Sequence, residues 1–271
     1  MMKKGVRWMG GMALLAAFLL PLVMALISSL MCAEELGVVY SKGQAFRWIP
    51  CQVTFGGYWS LLFESEAYLS TFWNSMLIAV GSTALQVIVA LIVGYALVRL
   101  NFRGKGALVF LYILLMLMPF QVTLLPNYML SKGIGIYNTW WALILPNALA
   151  PVGVFLMREF MKGIPGEILE AAYLDTSSNL RVIASVVMPN LRAGILTVAV
   201  LAFAESWNMV EQPLILLENE WLYPLSLRLS MLEGDALDVH FSGAVLYMIP
   251  AILIYFLFKE ELMEGIKQIK L

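Results

Sequence analysis

Six long apolar stretches, nearly free of charge, recur along this 271-residue chain at 8–31, 69–98, 107–126, 137–155, 191–215 and 241–258. A bilayer core about 30 Å thick is crossed by roughly 20 apolar residues of helix, so the pattern predicts six transmembrane helices and an all-α, polytopic membrane protein. Between the first two, residues 32–68 carry Gly, Pro and aromatic residues without a sustained helical period, enough for a small cap. Proline falls within or beside the spans at Pro21, Pro119, Pro126, Pro146 and Pro250, a pattern that membranes tolerate where neighbouring helices or water satisfy the freed backbone groups.

The polar region that breaks this rhythm is 158–192. Pro165 and Gly166 end one helix and open another, after which Ile168, Leu169, Ala172 and Tyr173 recur at helical spacing while Glu167, Glu170 and Asp175 stay polar. The pattern predicts a short amphipathic helix off the membrane. Such a helix either rests at the lipid interface or docks in the groove of another protein; anionic lipid attracts basic residues, and these are carboxylates.

Composition agrees with lipid as the main solvent: the chain is 61% hydrophobic and 13% charged, about half the charge of an ordinary soluble domain. Charge then sets orientation. Of the 17 Lys and Arg, 13 lie at the N-terminus (Lys3, Lys4, Arg7), after the second span (Arg99, Arg103, Lys105), in the 158–192 region (Arg158, Lys162, Arg181, Arg192) and at the C-terminus (Lys259, Lys267, Lys270). Lys42, Arg47, Lys132 and Arg228 fall on the other face. Ten of the 18 acids lie in 32–68 and 211–240, Glu233, Asp235 and Asp238 among them. By the positive-inside rule both termini are expected in the cytoplasm, with 32–68 and 216–240 outside. The opening Met-Met-Lys-Lys also admits a signal peptide, and Cys32 a lipoprotein site. The apolar run exceeds the ~7–15 residues of a signal core, and Met31 is bulky for a cleavage site, so an uncleaved first helix is expected. Cys32 and Cys51 share the external segment, either as a disulfide or as two free thiols.

Candidate chemistry is sparse. Gly104-Lys105-Gly106 lacks the spacing and the hydroxyl residue of a phosphate-binding loop, so nucleotide hydrolysis is not expected in this chain. Zinc-ligand spacing and Gly-x-Ser-x-Gly are missing too, so no metal and no catalytic residue is assigned. Glu205 is the ionisable residue well inside a span, a functional hypothesis by default because desolvating a carboxylate is costly. With Trp207 as a stacking face and Asn208 as a hydrogen-bonding amide it suits a wet cavity for a polyhydroxylated solute; alternatively, Trp207 belongs to an interfacial aromatic belt and Glu205 reaches outer water. The single histidine, His240, sits at a helix entrance and receives no role.

Residues 170–189 resemble the cytoplasmic signature of ABC importer permeases: Glu-Ala-Ala, three residues, Gly, nine residues, Ile, one residue, Leu-Pro. Glu170, Ala171, Ala172 and Pro189 match, Asp175 matches the Asp of sugar-permease versions, and Thr176, Val186 and Met188 stand where the pattern has Gly, Ile and Leu. Thr at 176 resists the positive φ that Gly would allow. The resemblance extends through Asn74-Ser75, Tyr95-Ala96-Leu97-x-Arg99, Phe102-Arg103-Gly104, Pro119-x-Gln121-Val122-x-Leu124-x-Pro126-x-Tyr128, Gly135-x-Tyr137-Asn138-Thr139, Leu145-Pro146, Phe160, Ile164-Pro165, Trp207-Asn208, Pro213-Leu214, Ile249-Pro250 and Gly265-x-Lys267. Together these are similar to the smaller six-helix permease of maltose-type carbohydrate importers.

That resemblance implies a type I importer permease fold, with 1–271 as a single transmembrane domain and 158–192 as its cytoplasmic coupling loop. Gly166, Glu167, Glu170, Ala171, Ala172, Asp175, Thr176 and Pro189 would carry the contact with a partner ATPase, and Glu205, Trp207 and Asn208 are candidates for the path. The implied partners are a second, usually different permease, two ATP-binding cassette subunits that hold the ATP and Mg, and an external solute-binding protein, in a bacterial or archaeal cytoplasmic membrane. A permease for a non-sugar solute is the nearest alternative. A secondary transporter would show paired repeats or several intramembrane charges, and neither is present in the sequence.

Overall fold

The computed structural model describes residues 2–41, 45–231 and 237–269, and all regular structure among them is helical. Lys42, Glu233, Asp235 and Lys270, counted in the charge asymmetry, lie outside the described residues. Twelve segments carry the argument. They are α1 (Met2–Ser28), α2 (Glu66–Arg99), α3 (Lys105–Leu117), α4 (Phe120–Gly133), α5 (Trp141–Ala148), α6 (Pro151–Lys162), α7 (Gly166–Asp175), α8 (Asn179–Asn190), α9 (Arg192–Trp207), α10 (Glu211–Leu216), α11 (Leu225–Ser230) and α12 (Leu237–Ile269).

Gly10–Ser28, Ala67–Arg99, Trp141–Lys162 and Leu237–Gly265 are each long and apolar enough to cross a membrane. Two further pairs pass the same test together but are sharply bent, α3 with α4 (105°) and α8 with α9 (86°), so the described residues hold four such helices, or up to six if each bent pair is one span. The bends are where the structure departs from the apolar reading. The stretch 107–126 is not one straight helix, because Pro119 offers no N–H to α3 and leaves Met118 extended at φ −72°, ψ 129°. The stretch 137–155 is broken too: Ala150, ahead of Pro151, is extended, and α6 then runs on to Lys162 past the first charged residues. In 191–215 the helix stops at Trp207, where the Asn208 amide turns back on the Ala204 carbonyl (2.7 Å).

The chain divides into two compact units. The first holds Met1–Ser70 with Arg228–Pro250. In it α1 presents Trp8, Leu15 and Phe18 outward, as suits a helix solvated by lipid, while Met31 and Leu36 are fully buried. The segment 32–68 does contain helix, in short pieces: Ala33–Leu36 widening into Gly37–Ser41, and Gly56–Trp59 widening into Ser60–Glu64. Polar ties fix them. Tyr58 donates to Ser29 Oγ (2.8 Å), the Thr54 amide donates to the Leu30 carbonyl (3.0 Å), and the Cys51 amide donates to the buried Glu35 carboxylate (3.1 Å). Both cysteines are free thiols, and Arg47 donates to Cys51 Sγ at 2.8 Å.

The second unit, Thr71–Leu227 with Ala251–Leu271, contains both candidate sites. Its core gathers Tyr95 and Leu97 of α2, Met157, Phe160 and Met161 of α6, Leu169 of α7, Val182, Ile183 and Val187 of α8, and Val198 of α9. Close helix crossings need small residues: a Cβ on Gly194 would stand 2.7 Å from the Phe160 ring, so α9 meets α6 only through glycine.

At the Asn74 end of α2 the loops are latched. The Asn74 amide donates to the Trp221 and Tyr223 carbonyls (2.7 and 3.1 Å), and the Leu225 amide donates to Ser75 Oγ (2.7 Å). Asn138, at φ 57°, accepts the amides of Glu218 and Asn219, both at 2.9 Å. Asparagine tolerates that left-handed geometry better than most side chains. Tyr137 donates to Glu218 (3.0 Å), and partial burial followed by this bond raises the phenol above its ordinary pKa.

Candidate functional site

The 158–192 segment forms one platform at the Arg99 end of α2. Pro165, with ψ 139°, sets the chain for α7, and Glu167 lies in the first turn, where a carboxylate meets the positive end of the helix. Leu169 is only 3% exposed and anchors α7 in the core, with Ala172 partly buried beside it. The opposite face carries Glu167, Glu170, Ala171 and Leu174, at i, i+3, i+4 and i+7, all exposed. Leu174 is 90% exposed, a large apolar side chain held outward by a rigid helix. Gly166 and Asp175 end the same helix and are exposed.

Two residues of α2 hold this platform. The Arg99 guanidinium donates to the Ile164 carbonyl (2.6 Å) and the Met161 carbonyl (3.3 Å), closing the carbonyl end of α6. The Tyr95 and Tyr173 hydroxyls are hydrogen-bonded, and Tyr173 also donates to Asn179 Oδ1 (2.8 Å), which ties α7 to both α2 and α8. Thr176 is extended at φ −154°, ψ 139°, so the turn into α8 makes no demand for positive φ and the missing glycine costs nothing. Its Oγ1 accepts the Ser178 amide (3.2 Å), and Ser178 caps α8 through the Arg181 amide (3.4 Å). Pro189 opens the last turn of α8, where the missing N–H is tolerated.

A second feature lies between α4, α5, α9 and α10: a cavity of about 330 Å³ lined by Phe120, Gln121, Asn147, Glu205, Asn208, Met209, Val210, Glu211 and Gln212. A neighbouring apolar cavity of about 520 Å³ shares Phe120, Asn147, Glu205 and Gln212 with it. Gln121 donates to Glu211 (3.3 Å), and Gln212 donates to Asn147 Oδ1 (3.2 Å).

Of the three path candidates the structure brings Glu205 and Asn208 into this cleft and keeps Trp207 out of it. Trp207 is 1% exposed, stacked on Phe203 (5.6 Å between centroids) and edge-on to Phe72 (6.0 Å). Its ring therefore packs the core and offers no face to a solute; on α9 it points away from the side that carries Glu205 and Asn208. The sequence pattern does not single out Asn147, Glu211 and Gln212. The signal available for Asn147 and Gln212 is an amide next to a proline (Pro146, Pro213) in otherwise apolar surroundings; Glu211 carries no such signal.

The chain is 26% identical to AraQ, an arabinooligosaccharides transport system permease protein of Halalkalibacterium halodurans, over 94% of this chain and 90% of that one. It is 26% identical to SmoH, the sulfoquinovosyl glycerol transport system permease protein of Agrobacterium fabrum, over 97% and 92% of the two chains. Among solved structures, a bacterial ABC transporter involved in import of the acidic polysaccharide alginate superposes with a TM-score of 0.83 at 18% identity, covering 96% of each chain. That likeness shows a shared fold. The sequence profile of the binding-protein-dependent transport system inner membrane component matches residues 86–262, a span that includes α7 and every lining residue of the 330 Å³ cavity. The chain belongs to that family, the membrane-embedded permeases of ABC importers, whose ATP hydrolysis resides in separate subunits.

Proposed function

We propose that this permease carries a saccharide through the cleft bounded by α4, α5, α9 and α10, and that α7 is the element through which partner ATPases drive it. The observation that supports this most directly is the two-faced α7: Leu169 is sunk into the core while Glu167, Glu170, Ala171 and Leu174 are exposed and unsupported by their own chain. An exposed apolar ridge flanked by acids on a fixed helix matches a groove on another protein.

In this reading the Arg99 end of α2 faces the cytoplasm, as the distribution of Lys and Arg supports, and both termini lie there. ATP and Mg bind in two partner ATPases. Closure of the ATPase dimer displaces α7, and the displacement passes through Tyr95, Arg99 and the Leu169 core into α2, α6 and α9. Because α9 carries Glu205 and Asn208, its movement changes access to the cleft. A second permease, different in sequence, would complete the path, and an external binding protein would load it at the latched end. The saccharide reading draws on the named substrates of the relatives and on a lining rich in amides, which hydrogen-bond hydroxyls as donors and acceptors.

The test is a proximity experiment in the assembled transporter. Ala171→Cys is expected to cross-link to a cysteine in the groove of an ATPase subunit, with yield that changes between nucleotide-free and ATP-bound states. Cross-linking to lipid-directed reagents alone, with none to the ATPase, would contradict the docking role.

A further inference from the structure

We propose that the cleft discriminates by charge, taking saccharides that present donors, hydroxyl or ammonium, and rejecting acidic ones, with Glu205 as the residue that sets the preference. The inference rests on the reading of this cleft as the solute path and adds to it the chemistry of the solute.

The lining of the 330 Å³ cavity contains two carboxylates, Glu205 and Glu211, and no Lys, Arg or His. Three of its four side-chain amides each give one N–H to a protein acceptor. Gln121 Nε2 goes to Glu211, Gln212 Nε2 to Asn147, and Asn208 Nδ2 to the Ala204 carbonyl of its own helix. Acceptors are left over. Gln212 Oε1 is fully buried with no hydrogen-bond partner among the described residues, and such an atom exacts the desolvation cost of an unmade bond until a donor arrives. Glu205 stands in the last turn of α9, where the helix dipole is negative and a basic residue would be the favoured occupant; none is present in that turn. A carboxylate kept there repels a second negative charge and is stabilised by a donor or a cation.

A uronate or sulfonate group entering this site meets Glu205 and Glu211 with no Lys, Arg or His among the described lining residues to answer it. A neutral sugar offers hydroxyl donors to the same atoms, and an amino sugar offers three N–H bonds and a positive charge. The expected order is amino-bearing, then neutral, then carboxyl-bearing.

The measurement uses the complete transporter without its binding protein, so that the membrane path decides, and the Glu205 variants isolate what this chain contributes. Asn208→Cys, in a background with Cys32→Ser and Cys51→Ser, is exposed to a small thiol reagent, and protection is compared for oligosaccharides of one length in neutral, amine-bearing and C6-carboxyl forms. The carboxyl form should need at least about tenfold higher concentration than the neutral one for equal protection, a difference of about 1.4 kcal/mol. Glu205→Gln should shrink that gap and Glu205→Lys invert it. Equal protection by all three forms, or a gap unchanged in both Glu205 variants, would overturn the charge preference while leaving the saccharide path intact. Protection by none of the saccharides would overturn the path reading itself and the inference with it.

Discussion

The Arg99 guanidinium sits 2.6 Å from the carbonyl oxygen of Ile164, so the last residue of α2 closes the carbonyl end of α6 just where the chain turns into α7. A charged hydrogen bond of this kind contributes about 1.5–3 kcal/mol. It joins the membrane body to the helix proposed to dock on the ATPase, and both of its bonds come from the terminal Nη2 atom.

Arg99→Lys is therefore expected to preserve charge and membrane insertion while weakening the link, because the shorter lysine side chain does not bring its ammonium to the position from which Nη2 reaches both the Met161 and Ile164 carbonyls. Solute-stimulated ATP hydrolysis should fall by roughly tenfold, corresponding to about 1.4 kcal/mol, while the amount of assembled complex changes little. Paired measurements of complex yield and stimulated ATPase rate check this.

Leu169 and Leu174 lie on one short helix and should behave oppositely. Leu169→Asp places an uncompensated carboxylate in the core and should abolish accumulation of the folded chain. Leu174→Ser removes an exposed side chain, should leave thermal stability of the chain within about 0.5 kcal/mol of the parent, and should weaken retention of the ATPase. Detergent size-exclusion profiles of the chain alone and with its ATPase distinguish the two.

Trp207→Ala should destabilise by about 3–5 kcal/mol, as expected for a buried aromatic removed from Phe203 and Phe72. Trp207→Phe should restore most of the loss, which a solute-stacking role would not require. Thermal unfolding in detergent, measured with and without saccharide, reads both.

Asn138 holds two amides from a left-handed backbone position, so Asn138→Ala removes an acceptor and adds strain, at a combined cost of about 1–3 kcal/mol. Asn138→Asp retains both features and should be tolerated. Hydrogen exchange at Glu218 and Asn219 should speed up in the alanine variant and stay slow in the aspartate one.

Much of this architecture is legible in the chain itself because lipid imposes a composition: the apolar runs announce the spans, and the 158–192 break announces the platform. Direction is less legible. The bend at Met118 and Pro119 leaves the hydrophobicity of 107–126 unchanged, so an apolar window reports one span where the backbone turns by 105°. Trp207 illustrates a second limit, since an aromatic residue at the end of an apolar helix gives the same pattern whether it faces a cavity or, as here, two phenylalanines. Thr176 shows the converse: a departure from a motif that looked costly falls on an extended residue and costs nothing. The partners of Tyr95, Arg99 and Asn138 are tertiary facts, and no periodicity encodes them.

The central claim is that the exposed stripe of α7 couples ATP hydrolysis to the membrane cleft, and its most direct measurement is ATPase activity of the reconstituted transporter with loaded binding protein. Glu170→Lys and Leu174→Asp, both on the exposed stripe, should each remove solute stimulation while the chain still folds and inserts. Stimulation unchanged in both variants would contradict the account.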